Sequence, residues 1–130
     1  MTLSNEYFLL AFLAAISTIQ FAAGHGGFHG LMFSQNPALN KVLAILIATP
    51  AMAAFFTWNA HNPVGVVEGA QQAGLFSLAS FSAVTTVLLL SSILNRNKLT
   101  IVKNRRLLGL EALKTMTFFQ AVKARYFWKR

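Results

Sequence analysis

The chain has 130 residues, enough for one domain, and it is 55% hydrophobic and only 11% charged. A soluble domain has about 25% charged residues, so most of this surface is not built for water. The chain contains no cysteine, which excludes disulfides and thiolate metal sites. Residues 1–95 carry Lys41 against Glu6 and Glu68, whereas residues 96–130 carry ten Lys or Arg against Glu111. An almost uncharged body is therefore followed by a basic tail.

The first apolar run is Tyr7 to Ala23, YFLLAFLAAISTIQFAA, without a Lys, Arg, Asp or Glu. A membrane span needs about 17–25 apolar residues, and one central charge costs about 2.5–3.5 kcal/mol on insertion scales. The run is read as a span. A cleaved leader would start with a basic segment, and MTLSNEY has none. Ala11, Ala14, Ala15, Thr18 and Ala22 fall on one stripe at helical spacing, the kind of surface along which membrane helices approach closely. Gln20 is the one strongly polar side chain within a span and is expected to hydrogen-bond a neighbouring helix.

The run leads into FAAGHGGFHG, Phe21 to Gly30. His25 and His29 have the spacing of a helix-borne metal pair. Gly24, Gly26 and Gly27 weigh against a helix here, no carboxylate stands nearby, and no protein-only metal site is expected. The loop also lacks the Lys and Ser or Thr of a phosphate-binding loop. A single axial ligand to haem or chlorophyll needs only one imidazole. His25, His29 and His61 are the candidate cofactor residues, with His61 ranked last. The reading preferred over a ligand is that the glycines end a helix and the histidines are interfacial residues that tolerate both headgroups and water.

The second run is Val42 to Trp58, VLAILIATPAMAAFFTW, with Ala44, Ala48 and Ala51 on one stripe. Pro50 removes a backbone donor in mid-helix and frees a carbonyl, for which Thr49 or a neighbouring helix is the expected partner. His61 follows this run, about 30 Å across the bilayer from His25 and His29. The third run is Ala73 to Leu94, AGLFSLASFSAVTTVLLLSSIL, with Ala79, Ser82, Ala83 and Thr86 aligned. The expected helix-packing residues are Ala11, Ala15, Ala44, Ala48, Ala79 and Ala83. None of the three runs has the polar face of a helix in a soluble bundle.

Arg96, Lys98, Lys103, Arg105 and Arg106 follow the last span, and Lys129 and Arg130 close the tail. Lys and Arg beside a span stay on the inner side, which predicts an inside C-terminus, an outside N-terminus and contact of these cations with anionic lipid headgroups. From about Arg105 a helix is expected, with Leu108, Ala112, Thr115, Phe119, Val122 and Tyr126 at 4-3-4-3-4 spacing and Gly109 as a weak point. The terminal YFWKR pairs aromatics with cations, as interfacial segments do. A basic segment tethered at the membrane is not expected to bind nucleic acid.

The sequence thus predicts an all-α membrane protein, a three-span body over residues 1–95 and a moderately amphipathic basic tail over 96–130. No acidic residue lies inside a span, no carboxylate pair is available and no Ser or Thr has a partner to activate it, so no enzyme is expected. Three functional readings remain. One is an accessory subunit that stabilises a larger energy-transducing complex, respiratory or photosynthetic, through contacts with other integral membrane subunits. Another is a haem- or chlorophyll-bearing anchor using His25 or His29. The last is a self-assembling protein similar in layout to phage holins. The accessory reading implies a bacterial inner or photosynthetic membrane, or a mitochondrial inner or plastid membrane.

Overall fold

The computed structural model describes residues 2–64, 67–99 and 109–127. Lys103, Arg105, Arg106, Lys129, Arg130, Leu108 and the WKR end of the tail lie outside them. The order is α1 (Leu3–Gly26), α2 (Pro37–Thr57), a turn of 3-10 helix (Trp58–His61), α3 (Gly69–Leu94), a second 3-10 segment (Gly109–Lys114) and α4 (Phe118–Phe127). The described residues contain no strand. The protein is an all-helical membrane protein in which α1, α2 and α3 are long and apolar enough to cross a bilayer. At a rise of 1.5 Å per residue, helices of 24, 21 and 26 residues reach about 36, 32 and 39 Å, against a hydrocarbon thickness of about 30 Å.

Each span begins before its apolar run, and at α1 and α2 side-chain capping sets the start, whereas α3 begins at Gly69 without a side-chain cap. The Thr2 hydroxyl accepts from the Asn5 N–H at 3.3 Å. The Asn36 carboxamide accepts from Ala38 and Leu39 at 3.0 and 3.3 Å, with Pro37 at the first helical position. Hydroxyls inside the spans bond back to carbonyls of their own helix. Ser17 donates to Leu13, Thr18 to Ala14, Ser77 to Ala73 and Thr85 to Phe81, all within 2.7–3.0 Å. A Ser or Thr satisfied in this way brings no unpaired donor into lipid. Thr49 does the same, donating to the Ile45 carbonyl at 2.9 Å. It therefore does not serve the Leu46 carbonyl that Pro50 leaves without its usual donor, and α2 continues unbroken through the proline.

The first helix packs against both others. Its covered residues are Tyr7, Ala11, Ala14, Ser17, Gln20, Ala23 and Gly24. Thr18 and Ala22, on the stripe read from the sequence, are exposed instead. A helix with neighbours on two sides buries a broader arc than one narrow stripe. On α2 the buried positions are Asn40, Ala44 and Ala51, and on α3 they are Ala79, Ala83, Val87, Ser91 and Ser92. The four-residue spacing from Ala79 to Ser91 forms one ridge along α3. Ala15 and Ala48 are half-buried. Large apolar side chains point outward, among them Leu46 and Phe56 on α2 and Phe81 and Ile93 on α3.

The two ends of the bundle differ in chemistry. At the end where α1 starts, Tyr7, Trp58 and Val67 form a buried cluster flanked by Leu3, Leu10, Phe55 and Leu75. The Tyr7 ring meets Trp58 edge-on at 5.0 Å and Phe55 at 5.3 Å, pairs that contribute about 0.5–1.5 kcal/mol each beyond area burial. The other end, where α1 stops, α2 starts and α3 stops, is polar.

Candidate functional site

The polar end is built on the α1–α2 connection. The helix α1 runs on through Gly26, three residues beyond Ala23, so Gly24 and Gly26 do not stop it. Gly27 stops it, at φ 70°, with its N–H on the Ala23 carbonyl, which also accepts from Phe28 N–H at 3.0 Å. This is the left-handed cap that favours glycine. His25 consequently lies on the helix and His29 beyond the cap, so the pair does not share a helix face.

Four carboxamides hold the loop that follows. Gln20 donates to the Leu31 carbonyl and accepts from the Phe33 N–H, both at 2.9 Å. Asn40 donates to the Gln20 carbonyl at 2.8 Å and accepts from the Ser34 N–H at 3.2 Å. Asn95, at the end of α3, donates to the Met32 carbonyl at 2.7 Å and accepts from Gln35 at 2.6 Å. Gln35 also donates to the His29 carbonyl at 3.1 Å. Met32 is fully buried beneath this lattice. Gln20 thus bonds a re-entering loop rather than a neighbouring helix. Paired in this way, the carboxamides leave few unsatisfied groups where the chain turns at the membrane end.

The tail docks onto the same loop. Gly30 donates to the Leu113 carbonyl at 2.8 Å. A Cβ at Gly30 would run into the Met116 carbonyl oxygen and crowd that of Leu113, so only glycine lets the two backbones approach this closely. The tail is not one continuous helix. The 3-10 segment ends at Lys114, and α4 starts afresh at Phe118 behind a capping box. The Thr117 hydroxyl accepts from Gln120 N–H at 3.3 Å while the Gln120 side chain accepts from Thr117 N–H at 3.0 Å. The amide of Gln120 donates onward to the Leu99 carbonyl at 2.7 Å, which fastens α4 below the end of α3. The 4-3-4 spacing expected from Leu108 to Tyr126 therefore does not describe one face: Ala112 is buried, while Thr115, Phe119, Val122 and Tyr126 are exposed on either side of the break.

The histidines are placed apart. His25 is exposed on α1, its ring parallel to that of Phe21 within 3° at 6.5 Å. His29 is half-buried in the loop. His61 is exposed at the opposite end of the bundle, its Nδ1 3.2 Å from the Thr57 carbonyl. Among the described residues no three of His, Cys, Asp or Glu gather into a metal-binding group. Asn40, Asn95, Gln35 and Gln120 are the residues that sequence reasoning passed over. Their signal was local: Asn40 and Asn95 stand at the polar-end boundaries of α2 and α3, and TFFQ is a capping-box pattern. Compared with protein-family models, with curated proteins and with solved structures, the chain finds no match.

Proposed function

We propose that this chain is a non-catalytic accessory subunit of a larger membrane complex, with the energy-transducing complexes of respiratory or photosynthetic membranes as the class in view. One observation carries the reading. The polar lattice between the helix ends is made of carboxamides that bond the chain's own backbone and, between Gln35 and Asn95, each other, without a titratable side chain in it. Such a lattice holds shape and offers no proton donor or nucleophile to a substrate. What the molecule presents outward is a span surface of large apolar side chains, among them Leu46, Phe56, Phe81 and Ile93, while its small residues pack its own three helices together. The positive-inside bias gives the orientation under this proposal, with the polar end and the tail inside.

Purification of a tagged chain in mild detergent tests the proposal. Stoichiometric co-isolation of other integral membrane subunits is the expected result. Isolation as a homo-oligomer, together with lethal permeabilisation on expression, overturns it in favour of the self-assembling reading. A second reading rests on His25, whose exposed imidazole beside Phe21 leaves room for one axial bond to haem or chlorophyll. A chromophore that co-purifies and is lost on His25→Leu would establish that reading.

A further inference from the structure

The fold brings cations and an apolar helix face to the same end of the bundle. Arg96 and Lys98 are exposed directly after α3, and Lys123 and Arg125 are exposed on α4. The same short helix exposes Phe119, Val122 and Tyr126, three and four residues apart and therefore on one side, with Phe127 next to them. Its height is set by the Gln120 bonds to the Leu99 and Arg96 carbonyls, at 2.7 and 3.4 Å, immediately beyond the last residues of the span. We infer that α4 docks on an anionic lipid leaflet, with Phe119, Val122 and Tyr126 entering the headgroup boundary and Lys123, Arg125, Arg96 and Lys98 facing lipid phosphates.

Charge selects this occupant. Glu111 is the only acidic residue after Glu68, and its carboxylate already holds Lys114 at 3.0 Å. The exposed cations of α4 therefore face outward as charge of a single sign, which suits a uniformly negative surface better than the mixed charges of a protein interface. An apolar side of a few large side chains flanked by cations is also the composition of helices that lie in the interface plane. The Gln120 bonds and the capping box fix the helix where a bilayer surface would stand if α3 spans it.

A single nitroxide tests the inference on the full chain, because the absence of native cysteine makes Val122→Cys a unique labelling site. The labelled protein is reconstituted in vesicles of phosphatidylcholine alone or of phosphatidylcholine mixed with phosphatidylglycerol. In the anionic vesicles the label should be relaxed by oxygen more than by an aqueous nickel chelate, and high salt should reverse that order. Each cation near an anionic leaflet shifts the docked-to-free ratio about fivefold, so Lys123→Gln with Arg125→Gln should lower it about thirtyfold. The salt arm uses unaltered charges and remains decisive even where the double variant perturbs α4. A label that stays in water in anionic vesicles, or sinks equally in both lipids, overturns the inference. A label shielded only when other membrane proteins are co-reconstituted overturns it as well, and assigns this face to a protein partner.

Discussion

Gln20→Met keeps the volume of the side chain and removes both of its bonds to the loop. The Leu31 carbonyl and the Phe33 N–H then lose partners at 2.9 Å each. An orphaned buried backbone group costs about 1–3 kcal/mol. Leu31 and Phe33 are half-buried, so water reaches them in part, and the lower end applies: about 2–3 kcal/mol for the two together. Gln20 itself is only 4% exposed, so water has little room to stand in for the lost carboxamide. The Asn40 bond to the Gln20 backbone carbonyl does not involve the altered side chain and should persist, confining the damage to residues 31–33. The assay is reversible unfolding in mixed detergent micelles, followed by circular dichroism, with amide hydrogen exchange read at Phe33. A loss below about 1 kcal/mol with unchanged protection of the Phe33 amide would refute the reasoning, because it would mean that the carboxamide is not what holds the loop.

Other expectations follow from the same geometry. Gly30→Ala places a methyl group against the Met116 and Leu113 carbonyls, and should cost about 1–3 kcal/mol of overpacking, read as faster tryptic cleavage at Lys114 and Lys123. Ala83→Leu, at a position with no exposed surface, should destabilise the bundle by about 1–3 kcal/mol. Phe81→Leu, at 73% exposure on the outer side of α3, should stay within about 0.5 kcal/mol, and equal melting of the two variants would count against packing along the Ala79–Ser91 ridge. His25→Leu should leave helix content and melting unchanged, since the ring is exposed on the end turn of α1; a drop in circular dichroism at the helical minima would contradict this.

The local code determined a great deal. Three charge-free apolar runs set the number of spans, because a charge or an unpaired backbone group in lipid is too costly for any other arrangement. Helix starts are equally local: Asn36 with Pro37 and Thr117 with Gln120 carry capping patterns within a few residues, ahead of where the hydrophobic runs begin. What only the tertiary structure decided is which side chains meet. Thr18 and Ser17 are neighbours in sequence with nearly the same chemistry, yet one is exposed and the other buried, because α1 takes α2 and α3 on two sides. The carboxamide lattice was hidden for a related reason. Gln20, Asn40 and Asn95 bind backbone N–H and C=O groups, which every residue carries, so no spacing in the sequence marks the partner. The partner exists only once three helix ends converge and the loop from Phe28 to Asn36 folds back between them.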